Sequence, residues 1–147
     1  MSQSSPNNII LRGNNYTVRE DRANVAITPG QLLDFAANDR LIVHGTSGGY
    51  AGRLFALELD FVGNGVSTAY ASGDRVVYAD CAPGTVIWAH LASGQNVARG
   101  AYLMSDGAGF LTARTSTNIG IAQADEDANA STGVGAAGSL RFRARVI

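Results

Sequence analysis

The sequence is poor in the residues that build covalent, metal or catalytic centres. It has one cysteine, two histidines and no lysine among its 147 residues. Cys81 alone cannot close a disulfide within the chain, and together with His44 and His90 it falls short of the ligand set of a structural zinc site. We therefore expect neither a metal ion nor any other cofactor.

Long apolar runs and targeting signals are also missing. No apolar run comes near the length of a membrane-spanning helix. Residues 1–8 are polar and uncharged apart from Met1 and Pro6, so they lack the charged start and the apolar stretch of a secretory signal. These absences predict a protein that is made and kept in a cytoplasm and has no membrane partner.

An excess of charge of either sign is absent too. The chain has 11 arginines and 12 acidic residues, which gives a formal net charge of -1. Proteins that bind nucleic acid in general are normally basic, so we expect no direct nucleic-acid partner. The length is enough for about one domain with its own hydrophobic core.

Glycine is abundant, and it punctuates short apolar runs. The 18 glycines fall between segments rich in β-branched and aromatic residues, as expected of strands joined by turns. Residues 53–62 alternate apolar and acidic side chains, which predicts a strand, whereas Leu32–Phe35 could be a strand or a helical turn. The pattern predicts an all-β protein, a compact antiparallel β-sandwich or β-barrel with an extended N-terminal arm.

The end of the chain shows the clearest alternation. Leu140, Phe142, Ala144 and Val146 share one face of a predicted final strand, and arginines occupy the other. These arginines are candidates for polar contacts with a partner, or they are solvated or paired with Glu58 and Asp60. The three arginines are Arg141, Arg143 and Arg145.

The Ala- and Gly-rich segment before this strand, residues 123–139, is predicted to be a surface loop.

The start of the chain has a different character. We divide the sequence into an N-terminal arm, residues 1–20, and a β-domain, residues 21–147. Its first 11 residues are uncharged and contain a small apolar cluster, which is suited to strand addition, in which main-chain bonds give affinity and side chains fill pockets. The candidate contact residues are Asn8, Ile9, Ile10, Leu11 and Tyr16.

Two sequence features leave other classes of function open. Gly45–Gly49 matches the Gly-x-Ser-x-Gly turn of serine hydrolases, with Ser47 as nucleophile and His90 as base. However, the following segment alternates like a strand, and the chain has no βαβ pattern. A carbohydrate-binding module could use Trp88 and Tyr102 as platforms, although the apolar neighbours of Trp88 favour a core position. We therefore predict that the protein is not an enzyme.

Turn-and-strand segments along roughly half of the chain resemble a known family. The segments are Asn24–Gly30, Leu54–Asp60, Tyr70–Val77, Leu91–Val97, Arg99–Leu103, Asp106–Leu111 and Ile119–Ala122. They are similar to segments of the capsid decoration (cement, or head-stabilising) proteins of tailed bacteriophages. The family has no catalytic motif to transfer to this chain.

The resemblance implies a specific role. Decoration proteins are small and β-rich, often trimerise, and bind the outer surface of the mature capsid. The expected partners are then the major capsid protein, whose neighbouring subunits would be clamped against internal DNA pressure, and further copies of this chain in a homotrimer. The expected location is the capsid exterior of the virion, after synthesis in the host cytoplasm. A tail or fibre component is the alternative within the structural class.

Overall fold

The computed structural model describes residues 6–131 and 139–147 and is built almost entirely of strands. No helix in this described part is long and apolar enough to cross a membrane. A short 3-10 helix, Asp60–Val62, lies between the fifth and sixth strands. In chain order the strands are β1 (Ile10–Arg12), β2 (Tyr16–Arg22), β3 (Leu33–Phe35), β4 (Leu41–Val43), β5 (Leu54–Ala56), β6 (Arg75–Cys81), β7 (Val86–Ala92), β8 (Asn96–Val97), β9 (Tyr102–Ser105), β10 (Leu111–Ala113), β11 (Ala122–Ala124), β12 (Ala128–Asn129) and β13 (Ser139–Val146).

Five strands close into a small barrel in the order β7-β10-β9-β11-β13, with β13 pairing back to β7. The β7–β13 ladder is antiparallel and runs from Ser139 opposite Ala92 to Arg145 opposite Val86. The β10–β7 pairing is parallel, and the other neighbours in the ring are antiparallel. Closure removes free sheet edges from this part of the molecule. The predicted all-β class is confirmed.

The barrel interior is filled by alternate side chains of its strands. Phe142, Ala144 and Val146 are fully buried, so the alternation seen in the sequence does mark the inward face of β13. Ile87, Ala89 and Leu91 of β7 lie in the same core. A barrel of so few strands has room for side chains alone, which makes its interior a packed core.

A second sheet, in the order β2-β6-β5, packs against the barrel with one face. Phe55 and Ala79 point into the barrel core, whereas Tyr78 and its neighbour Val76 point into a second core. The β3–β4 hairpin contributes to that second core through Leu33 and Leu41. In β5, Phe55 faces the barrel core, and Leu54 and Ala56 face the second core, so this strand is buried on both faces.

The strand predicted over residues 53–62 is shorter than expected. It ends at Ala56, and the last main-chain bond to the sheet runs from the Leu57 N–H to the Val77 carbonyl at 2.8 Å. The chain then turns through the 3-10 helix, which ends at Gly63 with φ +82°. Phe61, predicted to share the apolar face, is instead 78% exposed.

The extended N-terminal arm is corrected by the structure from Ile9 onward. Ile9 is fully buried in the barrel core, and its carbonyl accepts a hydrogen bond from the Trp88 N–H at 2.7 Å. β1 then pairs with β7, and β2 pairs with β6 over its whole length. The predicted boundary at residue 20 falls inside β2, since long-range pairing incorporates these residues into the domain. Residues 1–5 of the predicted arm lie outside the described residues.

The segment predicted as a loop at residues 123–139 contains secondary structure. β11 extends to Ala124, and β12 pairs with β8. Ala124, Ala128 and Ala130 are buried against the barrel core, because small side chains allow the backbone to approach closely. Residues 132–138 of this segment lie outside the described residues. Leu32–Phe35, left open above, contains strand β3.

Two phenylalanines test this assignment of the core. We expect Phe142→Ala to lower the free energy of unfolding by about 3–5 kcal/mol, since it leaves a cavity in the barrel. Phe61→Ala, at an exposed position, should change it by less than about 0.5 kcal/mol. Urea unfolding followed by circular dichroism measures both values. Equal losses for the two variants would contradict the assignment.

Candidate functional site

A groove opens where the N-terminal segment passes the second sheet. Its volume is about 290 Å³. The lining residues come from two separate parts of the sequence, one around β1 and β2 and the other directly after β5. We call this feature the N-terminal groove, and it is lined by Asn8, Ile10, Tyr16, Val18, Leu57, Glu58 and Asp60.

Glu58 holds the N-terminal segment against the groove. Its Oε2 accepts a hydrogen bond from the Ile9 N–H at 3.0 Å. With its side-chain nitrogen facing the carboxylate, Asn8 donates to Glu58 Oε1 at 3.2 Å. The carboxylate thus satisfies a main-chain donor beside a fully buried side chain, which is a structural role within the groove.

The groove is lined by both apolar and polar side chains, and its rim is acidic. Tyr16 and Ile10 pack partly against the barrel core, whereas Val18 stays 54% exposed. Asp60 is exposed, and among the described residues none of the arginines lines the groove. A partly apolar surface bordered by an exposed carboxylate suits a polypeptide segment with apolar and basic side chains better than it suits a small anion.

A pair of exposed apolar residues follows the rim directly. Phe61 is 78% exposed and Val62 is 56% exposed, both on the 3-10 helix that begins at Asp60. Large apolar side chains on a short turn are costly to leave in water, so they extend the apolar surface available to a partner.

The predicted N-terminal contact residues divide between this groove and the core. Asn8, Ile10 and Tyr16 line the groove. Ile9 is fully buried, and Leu11 is half-buried within β1. Sequence reasoning missed Val18, Leu57, Glu58 and Asp60 as groove residues. The alternation at 53–62 drew attention to the two acidic residues, but no local signal indicates that they face the N-terminal segment.

The three C-terminal arginines have partners within the chain. Arg141 is half-buried and donates to the Trp88 carbonyl at 3.2 Å and to the Val66 carbonyl at 2.5 Å. Burial lowers the pKa of Arg141, and the nearby negative charge of Glu58 opposes that shift. This arginine is therefore held within the fold by main-chain carbonyls, near the charge of Glu58, one of the two partners that the sequence offered for it within the sheet.

Arg143 and Arg145 lie closer to solvent. Arg143 Nε forms an ion pair with Glu126 at 3.2 Å, and Arg145 donates to the Gln123 side chain. Glu58 and Asp60, the acidic residues that the sequence offered as partners, are not the ones that bind Arg143 and Arg145. Two further acidic residues of this region bind Arg99. Asp125 forms an ion pair with its guanidinium, and Asp127 accepts a hydrogen bond from its main-chain N–H. Within the described residues no cluster suited to a metal ion occurs.

The structure does not assemble Ser47 and His90 as a nucleophile and its base. The Nδ1 atom of His90 lies 2.9 Å from the Ser139 hydroxyl, and Nε2 lies 3.0 Å from the Pro29 carbonyl. A carbonyl only accepts, so Nε2 carries the proton and Nδ1 accepts from Ser139. Both ring nitrogens are occupied, and neither bonds to Ser47.

His44, the other histidine, is bonded in the same manner. Its Nδ1 lies 2.7 Å from the Ser105 hydroxyl, and its Nε2 lies 2.6 Å from the Tyr50 carbonyl. Its ring is buried, as is that of His90. Both histidines thus satisfy buried polar groups between segments that are distant in sequence.

The remaining reactive or aromatic candidates have structural surroundings. Burial raises the pKa of the Cys81 thiol to about 12, and the nearby Asp80 charge adds to the shift, so the thiolate form is disfavoured. Trp88 packs partly against the barrel core, and Tyr102 is 54% exposed on β9. β10 lies between their strands in the barrel, so the two aromatic rings come from non-adjacent strands.

Comparison with known proteins gives a likeness in fold. The chain is similar to the N base of the head fibre gp8.5 of bacteriophage phi29, with a TM-score of 0.58 and 11% sequence identity. The match covers 90% of this chain and 94% of the phi29 chain. No protein-family model matches the sequence, and no curated protein is similar to it in sequence. At this level of identity the likeness shows a shared all-β architecture.

The contacts of Glu58 in the groove lead to a prediction about stability. Glu58→Ala should lower the free energy of unfolding by about 1–3 kcal/mol, because the Ile9 N–H loses its acceptor. Glu58→Gln keeps an acceptor oxygen and should cost less. Asp60→Ala serves as the control on the exposed rim and should change stability by less than about 0.5 kcal/mol. If Glu58→Ala and Asp60→Ala have the same urea midpoint, Glu58 does not hold the N-terminal segment.

The buried side chain of His90 leads to a prediction about how the free energy of unfolding depends on pH. Burial and the Arg141 charge lower the pKa of His90 to about 4, below the value of an unfolded chain. The unfolded state therefore takes up a proton first as pH falls from 6.5 towards 4, and up to about 3 kcal/mol of stability is lost. Above pH 6.5 this loss vanishes.

His90→Gln measures this contribution. The variant lacks a titrating ring, so its unfolding free energy should fall less than that of the wild type between pH 7 and pH 4.5. Chemical unfolding at several pH values provides the comparison. Parallel pH profiles for the two proteins would show that His90 is not responsible.

Proposed function

We propose that this protein is a structural component of a bacteriophage virion that binds the outer surface of the capsid. The observation that carries the proposal is the likeness of almost the whole chain to the base of a phage head fibre. Because the match spans 90% of this chain and 94% of that one, it concerns the entire architecture and not a common β motif.

The turn-and-strand segments that resemble decoration proteins support the same proposal. Tyr70–Val77 turns through Gly73, with φ +90°, into β6. Leu91–Val97 turns through Gly94, with φ +84°, between β7 and β8. In both segments a turn at a glycine leads into a strand, so the resemblance rests on turns and strands that the fold contains.

The finer features of the proposal concern assembly. The protein binds the major capsid protein, assembles as a homotrimer and clamps neighbouring capsid subunits against internal DNA pressure. Many equivalent copies on one shell allow each contact to be weak while the whole layer is firm. The chain needs no contact with the packaged nucleic acid for this role, and it is made in the host cytoplasm before it joins the virion.

A second candidate function is the base of a fibre attached to the capsid. The phi29 neighbour favours it, since that protein is described as a head fibre base. Electron microscopy of particles carrying the protein separates the candidates. Fibres projecting from the bound protein support the second candidate, and knobs of its own size on the shell support the first.

Co-sedimentation tests the proposal itself. Virus particles are purified from a lysate, and the amount of this protein is measured against the major capsid protein by quantitative mass spectrometry. A fixed, high ratio that survives repeated banding is expected. Absence of the protein from every particle fraction would overturn the proposal, and a ratio of only a few copies per particle would indicate a tail component.

A further inference from the structure

β2 is a long strand with one open edge. It has seven residues and lies at the side of the sheet β2-β6-β5. Over the described residues 6–131 and 139–147, β6 is its sole strand partner. Open edges present rows of unpaired main-chain groups, and monomeric proteins usually cover or interrupt them.

The hydrogen bonds at the two ends of β2 establish which residues face the open side. The Ala82 N–H donates to the Asn15 carbonyl at 3.1 Å, and the Ala23 N–H donates to the Asp74 carbonyl at 2.8 Å. In an antiparallel ladder every second residue bonds to the neighbouring strand, so the odd-numbered residues of β2 bond to β6. The N–H and carbonyl groups of Tyr16, Val18 and Glu20 consequently point outward.

The same edge is already used by the fold at its far end. The Asn24 N–H, which also points outward, donates to the Leu41 carbonyl at 2.8 Å, and Ala23 forms a parallel bridge with Leu41. The direction assigned to the even-numbered residues is thus supported by a bond that exists. It also shows that the edge accepts a strand, with positions 16–20 left open.

The side chains beside the open positions line the N-terminal groove. Tyr16 and Val18 contribute its apolar wall, and Asp60 contributes an exposed carboxylate at its rim. Glu58 is engaged by Ile9 and lies near the Arg141 charge, so Asp60 is the carboxylate free to meet a partner.

We propose that residues 16–20 of β2 receive an extended segment of the major capsid protein as an additional strand, with its apolar side chains against Val18 and Tyr16 and a lysine or arginine near Asp60. This inference rests on the proposed function and adds the surface and the chemistry of the partner. Charge complementarity favours such a segment over a second copy of β2. In the antiparallel register centred on Val18, which spans residues 16–20, a second copy would place its own Tyr16, Val18 and Glu20 on the groove side and so would bring a carboxylate and no cation to the acidic rim. Displacing that register by two residues towards the end of β2 sets Arg19 opposite Arg19.

Substitution at Val18 tests the main-chain part of this proposal. Val18→Pro removes the outward N–H and leaves every bond to β6 in place, a position where edge strands tolerate proline. We expect it to weaken binding to the capsid by about tenfold or more. Val18→Thr keeps the N–H and a β-branched side chain and is the matched control. Val18→Lys places a positive charge at the same exposed position, where it would repel a basic partner segment. It is the alternative test if the proline variant does not fold.

Substitution at Asp60 tests the electrostatic part. Asp60→Asn should weaken binding by about two- to fivefold at low salt, and the difference should shrink as salt screens the charge. Asp39→Asn is the control. Asp39 is likewise exposed, lies in a turn with φ +64° that asparagine tolerates, and is outside the groove.

Binding is measured with the full chain and with capsid particles of its own virus that lack this protein, by sedimentation over a range of concentrations. Circular dichroism and urea midpoints establish that each variant is folded. Particle binding by the wild type, weakened by Val18→Pro or Val18→Lys and retained by Val18→Thr, supports the inference. If the wild type does not bind particles, the proposed function has failed.

Two other results overturn the inference and leave the proposed function standing. One is normal particle binding by folded Val18→Pro and Val18→Lys variants. The other is a wild type that self-associates through this edge, shown by light scattering as an oligomer that Val18→Pro dissociates while particle binding is unchanged. In that case a second copy is the occupant.

Discussion

The pairing of β7 with its neighbours is the interaction on which the rest of the structure depends. One edge of β7 carries the whole ladder with β13, and the other carries β1 and then β10. This strand therefore closes the barrel and also anchors the start of the chain, through the bond between the Trp88 N–H and the Ile9 carbonyl. Without it the N-terminal groove would lose one wall.

The second constraint is the two-sided burial of the sheet β2-β6-β5. β5 and β6 each face the barrel core with some residues and the core beneath the β3–β4 hairpin with others. β2 belongs to the same sheet, but its middle residues are exposed. The sheet is thus fixed firmly at its centre and left open at one edge, an arrangement suited to adding a strand without rearranging the fold.

The strands that could be predicted from sequence are those with one buried face and one solvent-exposed face. In β13 this condition holds, and the alternation from Leu140 to Val146 identified the strand and the side chains that enter the barrel. At residues 53–62 it fails, because β5 is buried on both faces and the chain then turns. There the alternation of apolar and acidic residues continued past the strand and placed Phe61 on the wrong surface.

The groove could not be found from sequence because its walls meet only in the folded chain. Ile9 to Leu11 is a short apolar cluster, and nothing nearby indicates that it pairs with β7 more than 70 residues later. Asn8, Ile10 and Tyr16 were selected for their place near the start of the chain, and the structure puts them in one groove with Leu57 and Asp60. The free edge of β2 depends on which strands do not pair, which is a property of the whole topology.

We propose that the protein meets the capsid at the open edge of β2. Hydrogen exchange of the β2 amides, compared between free and particle-bound protein, tests it most directly. We expect the amides of Thr17, Arg19 and Asp21 to be protected in both states, and those of Val18 and Glu20 to become protected on binding. Unchanged, rapid exchange of Val18 and Glu20 in the particle-bound protein would contradict the claim.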